Sequence, residues 1–295
     1  MRIYDTITER IPIRKGWGSD KKIRVTTADN QTYLLRLSPM DRLDRKAREF
    51  ENMEKAAQLG IPMCLPLEFG TCEDGVYAIH SWIDGEDAEE MIASMSPATQ
   101  YRYGLEAGQI LAKIHSIPAP DSTPDWAIRF NAKIDRKIAL YESCPLKYEG
   151  GNAFLKYLAE NRHLLNDRPQ SYQHGDYHVG NMMIDRSGKL TIIDFDRDDY
   201  GDPWEEFNRI VWCAQAAPAF AAGMVDGYFD SAVPVEFWKL LALYISSNTL
   251  GSLSWAIPFG EKEIQVMRHQ AAQVLDWYDN MQTVVPKWYT SPDHT

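Results

Sequence analysis

The stretch from residue 173 to residue 203 holds acidic and amide side chains at spacings that suit metal and proton chemistry. Asp176 lies five residues before Asn181, and Asp194 follows Asn181 by thirteen residues. An amide oxygen and a carboxylate are hard ligands, of the kind that Mg²⁺ accepts when phosphate groups supply part of its coordination. We therefore predict that Asn181 and Asp194 hold Mg²⁺ and that Asp176 is a base beside it.

A β-hairpin must bring the two predicted metal ligands together. Residues 182–185 and 190–194 are apolar enough for strands, and the Arg-Ser-Gly-Lys between them is typical of a turn. If Asp185 pairs with Leu190, the same register places Asn181 opposite Asp194, with β-carbons roughly 5 Å apart. This pattern predicts that both side chains meet at one end of the hairpin.

Three short motifs in this stretch resemble, by order and spacing, the aminoglycoside phosphotransferase and choline kinase-like family, relatives of the protein kinases that phosphorylate small molecules. They are His174-Gly175-Asp176 with the later Asn181, then Asp194-Phe195-Asp196, then Gly201-Asp202-Pro203. The resemblance implies Asp176 as the catalytic residue, Asn181 and Asp194 as ligands of Mg²⁺, and His174 as a residue that shapes the loop. A reading of His174, Asp176 and His178 as a hydrolytic metal site is the alternative, but it gives the hairpin register no role.

The same resemblance implies an α+β fold with the two lobes of a protein kinase. Residues 1–82 would form a small nucleotide-binding lobe of β-strands with one αC-type helix. Residues 83–295 would form a larger, mainly helical lobe for catalysis and substrate binding. Helical periodicity over 98–117, 126–144, 151–165 and 261–281 agrees with that division.

The N-terminal lobe is expected to bind the phosphates of ATP or GTP. Gly16 and Gly18 lie in a turn between strands at 11–15 and 22–27, where glycine lets backbone N–H groups approach phosphate oxygens. Arg36, in a strand at 32–37, is predicted to face away from its two leucine neighbours. In the family a lysine normally stands at this position, so Arg36 is a departure.

A helix over 43–59 corresponds to the αC helix of the family. Glu49 is predicted to pair with Arg36, with Glu51 as the alternative. The competing interpretation is that Glu49 only makes a surface pair with Arg45, four residues away.

The strand at 76–82 leads into the segment expected to link the lobes. By resemblance, the adenine would bond to the backbone carbonyl of Ser81 and the backbone N–H of Ile83. His80 would line the back of the nucleotide pocket or serve the core.

The composition limits the partners of the chain. Its 295 residues carry a net charge of −11, which disfavours nucleic acid and anionic membranes. The N-terminus lacks the apolar core of a signal peptide, and the four cysteines have no metal-site spacing. We expect a soluble cytoplasmic protein with reduced cysteines.

Acidic residues at one edge of the site favour a cationic small molecule as the phosphate acceptor. Asp198 and Asp199 are the candidates for binding it, whereas Asp202, Glu205 and Glu206 suit the start of a helix. The leading acceptor is an aminoglycoside or similar cationic antibiotic, which would make the protein an antibiotic-resistance enzyme. The alternatives are a metabolite kinase for choline, homoserine or a sugar, and a nucleotide-binding pseudokinase.

Overall fold

The computed structural model describes residues 2–14 and 20–290. The predicted Gly16 and Gly18 lie outside the described residues. The strands in chain order are β1 Ile7–Ile13, β2 Lys21–Thr27, β3 Thr32–Ser38, β4 Pro66–Cys72, β5 Gly75–Ser81, β6 Gly85–Asp87, β7 Ser171–Gln173, β8 Met182–Asp185, β9 Leu190–Ile192 and β10 Asp199–Gly201. The α-helices are α1 Leu43–Gln58, α2 Ala88–Ala93, α3 Pro97–Ile114, α4 Trp126–Ser143, α5 Asn152–Asn161, α6 Ile210–Ala216, α7 Pro218–Phe229, α8 Val235–Ala256 and α9 Glu261–Trp277.

Two compact units make up the chain. The first holds the described residues up to Ala88 together with Asn181–Asp198, and the second holds Glu89–Gly180 together with the residues from Asp199 onward. The predicted fold class is confirmed, because an antiparallel sheet dominates the N-terminal region and the remainder is mainly helical. The β8–β9 hairpin groups with the first unit, whereas the sequence suggested that it belongs with the C-terminal lobe.

The first unit is built on a five-stranded sheet in the order β1-β2-β3-β5-β4. One face forms an apolar core, whose buried members are Val25, Leu35, Leu37, Tyr77 and Ile79. Side chains alternate along a strand, so Arg36 lies on the other face of β3, as predicted. That face is the one available for polar chemistry.

The β8–β9 hairpin is joined to the first unit through its last strand. The backbone N–H of Ile192 donates to the carbonyl of Pro62 at 2.9 Å, and the N–H of Cys64 donates to the carbonyl of Ile192 at 3.1 Å. The segment between α1 and β4 therefore fixes the strand that leads directly into Asp194.

The register predicted for this hairpin is wrong by one residue. Ile184 pairs with Leu190, and the N–H of Ile193 donates to the carbonyl of Asn181 at 3.0 Å, so Ile193, not Asp194, stands opposite Asn181. The cause lies in the turn, because Asp185 Oδ1 accepts from the N–H groups of Ser187 and Lys189 at 2.8 and 3.0 Å. The side chain of Asp185 closes the turn, and the ladder starts one residue earlier.

Close contact between α3 and α7 organises the second unit. A β-carbon added at Gly104 or Gly108 would lie 2.2 Å from a backbone oxygen of α7, and one added at Gly223 or Gly227 would lie 2.2 Å from a backbone oxygen of α3. Two glycines spaced by four on each helix thus let the backbones touch.

Helix α8 runs through the second unit as its central apolar element. The segment Val235–Phe259 is long and apolar enough to cross a membrane by length and composition, but 67% of its most apolar window is buried inside the fold. Burial of this kind is typical of a core helix.

Candidate active site

Two cations face each other on adjacent strands of the N-terminal sheet. Lys22 of β2 is directly opposite Arg36 of β3, an unfavourable arrangement unless an anion lies between the charges. Asp194 supplies it, accepting from Arg36 Nη1 at 2.8 Å and from Lys22 Nζ at 3.0 Å. Arg36 Nη2 also donates to Asp196 at 2.7 Å, so one guanidinium bridges two carboxylates.

Asp194 is held as an anion in an unusual backbone conformation. Its φ of 71° lies in the left-handed region, which aspartate tolerates better than most residues. Burial opposes its ionisation, but the charges of Arg36 and Lys22 outweigh burial and lower the pKa of Asp194 to about 2. Because it is ionised, the carboxylate of Asp194 is of the kind that Mg²⁺ accepts as a ligand.

The other predicted metal ligand, Asn181, lies in the same unit, opposite Ile193 and one residue from Asp194 across the hairpin. Among the described residues there is no group of three or more His, Cys, Asp or Glu side chains that could hold a metal ion. If Asn181 and Asp194 hold Mg²⁺ as predicted, phosphate oxygens and water would supply its remaining ligands.

The predicted pair between Glu49 and Arg36 is wrong. Glu49 instead accepts from Arg45 Nε and from Lys46 Nζ, both at 2.6 Å, and the alternative residue Glu51 is exposed. Arg45 and Lys46 lie one turn from Glu49 on α1, which places them close to its carboxylate. The guanidinium of Arg36, on the sheet, forms ion pairs with Asp194 and Asp196 instead.

Lys46 is a site residue that the sequence interpretation missed. Its Nζ lies 2.8 Å from Asp20 and 2.6 Å from Glu49. Asp20 also accepts from Arg36 at 3.2 Å and from the hydroxyl of Ser38 at 2.7 Å. The signal was present in the sequence, because Lys46 is one turn from Leu43 and from Phe50 on the apolar stripe of α1.

A small cavity of about 30 Å³ lies behind these ion pairs. His80 lines it and is 4% exposed, and neither ring nitrogen has a hydrogen-bond partner within the described part of the chain. Burial, followed by the charges of Arg36 and Lys46, lowers the pKa of His80 to about 3. The ring is therefore neutral at physiological pH.

The residues predicted to contact adenine lie where β5 ends. Ser81 is the last residue of β5, and its hydroxyl accepts from the N–H of Leu65 at 2.8 Å. Ile83 follows in the link to β6 and lines, with Trp82, a cleft of about 340 Å³ in the first unit. Trp82 is stacked by the guanidinium of Arg24, 5.3 Å from the ring centre.

The loop that carries Asp176 belongs to the second unit and is fastened by a buried carboxylate. Glu206 is 2% exposed, and its Oε1 accepts from the backbone N–H groups of Gly175 at 2.9 Å and Tyr177 at 3.3 Å. His174 is fully buried, and its Nδ1 accepts from the N–H of Asp176 at 3.3 Å. His174 and Glu206 together fix the backbone on both sides of Asp176.

Asp176 has basic neighbours in its own unit. Arg209 Nε lies 3.1 Å from Asp176 Oδ1, and His178 Nε2 lies 3.8 Å from the same oxygen. Arg209 was not identified from the sequence. It lies after the Gly201-Asp202-Pro203 motif, and no local sequence pattern links this position to Asp176.

The acidic residues expected to bind a cationic acceptor already have partners. Asp198 accepts from the amide of Asn52 at 2.7 Å, and Asp199 lies 3.5 Å from Arg129. Asp202 accepts from the N–H of Trp204 at 3.0 Å, which is the predicted capping role. The edge therefore offers a cation fewer unpaired carboxylates than the sequence suggested.

A model of the phosphotransferase enzyme family matches residues 9–238. No curated protein sequence matches the chain.

Several solved structures share the fold. A choline/ethanolamine kinase family protein from Mesorhizobium loti has a TM-score of 0.65 at 16% identity, over 93% of this chain and 91% of that chain. A thermostable mutant of an aminoglycoside phosphotransferase, in a ternary complex with ADP and hygromycin B, has a TM-score of 0.64 at 14% identity, over 92% and 95% of the two chains. An amicoumacin kinase in complex with AMP-PNP, Ca²⁺ and Ami has a TM-score of 0.65 at 13% identity, over 93% and 90%.

Proposed function

Since the chain belongs to the phosphotransferase enzyme family, we propose that it transfers the γ-phosphoryl group of ATP or GTP to a hydroxyl group of a small molecule. The observation that carries this proposal is the pair of opposed cations, Lys22 and Arg36, whose charges converge on Asp194. Similar folds have been solved with ADP and with AMP-PNP, which supports a nucleotide as the donor.

In this proposal the first unit binds the phosphates of the donor. Arg36 and Lys22 lie on one face of the sheet, and we expect them to contact phosphate oxygens when the nucleotide binds. Asn181 and Asp194 would hold Mg²⁺, which when bound supplies positive charge to the phosphate oxygens. Asp194 is thus the residue shared by the cations and the metal.

The second unit provides the group that handles the acceptor. Asp176 would orient the hydroxyl and accept its proton, since phosphoryl transfer depends mainly on positioning and charge neutralisation. Its backbone is fixed by Glu206 and its carboxylate is oriented by Arg209. We propose that the protein acts in the cytoplasm, where ATP and GTP are available.

The class of acceptor has two candidates. An aminoglycoside or similar cationic antibiotic is supported by the hygromycin B complex of a structural neighbour and by the net charge of −11. A hydroxylated metabolite is supported by the likeness to a choline/ethanolamine kinase family protein and by the paired state of Asp198 and Asp199.

Nucleotide turnover with a panel of hydroxyl compounds tests the proposal. We expect release of ADP or GDP and a phosphorylated product with at least one of the aminoglycosides, hydroxy acids, sugars or amino alcohols, and no product after chelation of Mg²⁺. Tight nucleotide binding without transfer to any compound would contradict the enzyme proposal and favour a pseudokinase.

A further inference from the structure

Two polar atoms inside the second unit face each other without a hydrogen bond. Nε2 of His115, the residue at the C-terminal end of α3, lies 3.7 Å from Oε2 of Glu206. Both side chains are almost fully buried, and neither atom has a hydrogen-bond partner within the described part of the chain. An unpaired buried polar atom is costly, so a bond between these two would remove both penalties at once.

The other polar atoms of the two side chains are already paired. Glu206 Oε1 accepts from the two backbone N–H groups on either side of Asp176. On the opposite side of the His115 ring, Nδ1 lies 2.9 Å from the hydroxyl oxygen of Tyr228 on α7. A line of polar groups thus runs from α7 through His115 and Glu206 to the loop of Asp176.

Close packing of α3 against α7 sets the position of this line. A β-carbon added at Gly108 would lie 2.6 Å from the backbone nitrogen of Tyr228. The rings of His115 and Tyr228 meet edge to face, with 5.5 Å between their centres. In the loop itself, Tyr177 is fully buried, and its hydroxyl donates to the carbonyl of Ala107 on α3 at 2.7 Å. Helix α3 therefore contacts the loop directly and also carries His115 at its end.

One placement of the protons satisfies every atom of this line from within the protein. If the proton of His115 stood on Nδ1, lone pairs of Nε2 and of the Glu206 carboxylate would face each other. If the pair of His115 and Glu206 held one more proton, Nδ1 would also be a donor, and the hydroxyl hydrogen of Tyr228 would lack an acceptor among the described residues. Burial raises the pKa of Tyr228, which keeps that hydrogen in place. A neutral ring protonated at Nε2 donates to Glu206 and accepts from Tyr228.

Resting on the proposed function, we propose that His115 is a positioning residue of the phosphotransfer site. Its neutral ring donates from Nε2 to Glu206 Oε2 and so holds the carboxylate that fixes the backbone on both sides of Asp176. A bond to a carboxylate usually measures about 2.7–2.9 Å, so a small rotation of the ring or of the carboxyl group closes the gap.

The first test locates the proton and does not depend on turnover. NMR of protein with isotope-labelled histidine rings, at about pH 8 and with His115→Gln to assign the signals, distinguishes protonated from unprotonated ring nitrogens. We expect the proton on Nε2 and none on Nδ1. Glu206→Gln should move it to Nδ1, because the loop N–H groups keep the amide oxygen and the amide NH₂ then donates to Nε2. A proton on Nδ1 of the parent, or on both nitrogens, would overturn the inference.

The second test measures the loop itself. His115→Phe keeps a planar ring but removes the donor, so amide hydrogen exchange over residues 173–181 should become about tenfold faster. His115→Gln keeps an N–H donor near the position of Nε2 and should restore most of the protection. Ile114→Val, a truncation at the neighbouring buried position, is the control for lost packing and should leave exchange of this segment unchanged. Unchanged exchange in His115→Phe would remove His115 from the support of the loop.

The third test separates positioning from stability. With an acceptor that is turned over, His115→Phe should lower kcat by about tenfold and leave nucleotide affinity unchanged, because the predicted phosphate-binding residues belong to the other unit. If His115 acts through Glu206, His115→Phe combined with Glu206→Gln should lose no more than Glu206→Gln alone. Additive losses, or a fall in nucleotide affinity that matches the fall in kcat, would overturn the inference.

These results separate the inference from the proposed function. A proton on Nε2 and faster exchange in His115→Phe, without phosphorylation of any compound, would support the hydrogen bond and contradict the kinase proposal. Phosphoryl transfer that His115→Phe leaves unchanged would support the kinase proposal and overturn the positioning role.

Discussion

At the scale of single residues, Arg36 contacts the carboxylates that follow the hairpin through two separate nitrogen atoms. Its Nη1 and Nη2 reach two different carboxylates, Asp194 and Asp196. A single ammonium is a point charge and lacks the fixed fork that spans such a pair. The departure from the family's usual lysine is therefore matched by the acidic residue at position 196.

We expect Arg36→Lys to weaken nucleotide binding, because one ammonium cannot direct separate N–H donors at Asp194 and Asp196 as the guanidinium does. The nucleotide KM should rise by about tenfold, and Arg36→Lys combined with Asp196→Asn should recover part of that loss. Steady-state kinetics of the parent and the three variants would measure this. An additive double mutant would show that Arg36 and Asp196 act independently.

Asp176→Asn should lower kcat by about 10²–10⁴, the usual contribution of a positioned acid-base group. Nucleotide affinity should be unchanged, since the predicted metal ligands belong to the other unit. Single-turnover phosphoryl transfer, with calorimetry of nucleotide binding alongside, would measure both quantities. Loss of nucleotide affinity would place Asp176 in the metal site instead.

At the scale of elements, the facing strands β2 and β3 place Lys22 beside Arg36. The neighbouring Lys21 is exposed, and alternation directs it to the other side of the strand. Lys22 is thus the residue to test for phosphate binding, and its sequence neighbour Lys21 is the matched control for loss of a positive charge.

Lys22→Gln should weaken nucleotide binding and reduce its dependence on salt, because one phosphate-binding charge is removed. Lys21→Gln should change neither quantity. Calorimetry with a non-hydrolysable nucleotide at two salt concentrations would check the difference. Equal effects of the two substitutions would remove Lys22 from the phosphate site.

The loop around Asp176 depends on a carboxylate from the segment that follows β10. Glu206→Ala would leave the N–H groups of Gly175 and Tyr177 without their acceptor, which should cost about 2–5 kcal/mol of unfolding free energy. Glu206→Gln keeps one acceptor oxygen and should cost less. Denaturant unfolding, with Glu160→Ala on the surface of α5 as the control, would give these values. A neutral Glu206→Ala would show that the loop is held by other contacts.

At the scale of the whole molecule, acid stability should depend on His80. The unfolded chain takes up a proton near the ordinary histidine pKa of about 6.5, whereas the folded protein does so only near pH 3. Between these values the unfolded state binds more protons, so stability is lost as the pH falls, by up to about 1.4 kcal/mol per pH unit. His80→Phe should flatten this loss between about pH 6.5 and 4.5.

Chemical unfolding at several pH values would measure the effect, with His163→Phe at an exposed position as the control. Asp194 adds a loss of the same sign only at lower pH, because its folded pKa is about 2. Equal slopes for the parent and His80→Phe would contradict the buried, neutral histidine.

Much of this architecture could be predicted from periodicity. The strand over 182–185 and the start of α4 at Trp126 agree with the sequence, and alternation correctly placed Arg36 on the polar face. Two features could not be read locally. The hairpin register depended on the side chain of Asp185, which closes the turn. The partner of Glu49 depended on Arg36, whose guanidinium pairs with Asp194 after the hairpin, so that Glu49 pairs with Arg45 on its own helix.

The first unit is built from two separate stretches of the chain, and this has a consequence for folding during translation. Ala88 and Asp198 are separated by 110 residues of chain, which a ribosome adds in roughly 6 to 22 s at about 5–20 residues per second. During that interval the nascent sheet lacks Asp194 and Asp196, and the opposed charges of Lys22 and Arg36 have only part of their compensation. We expect that the emerging polypeptide cannot retain a nucleotide until translation has passed the hairpin.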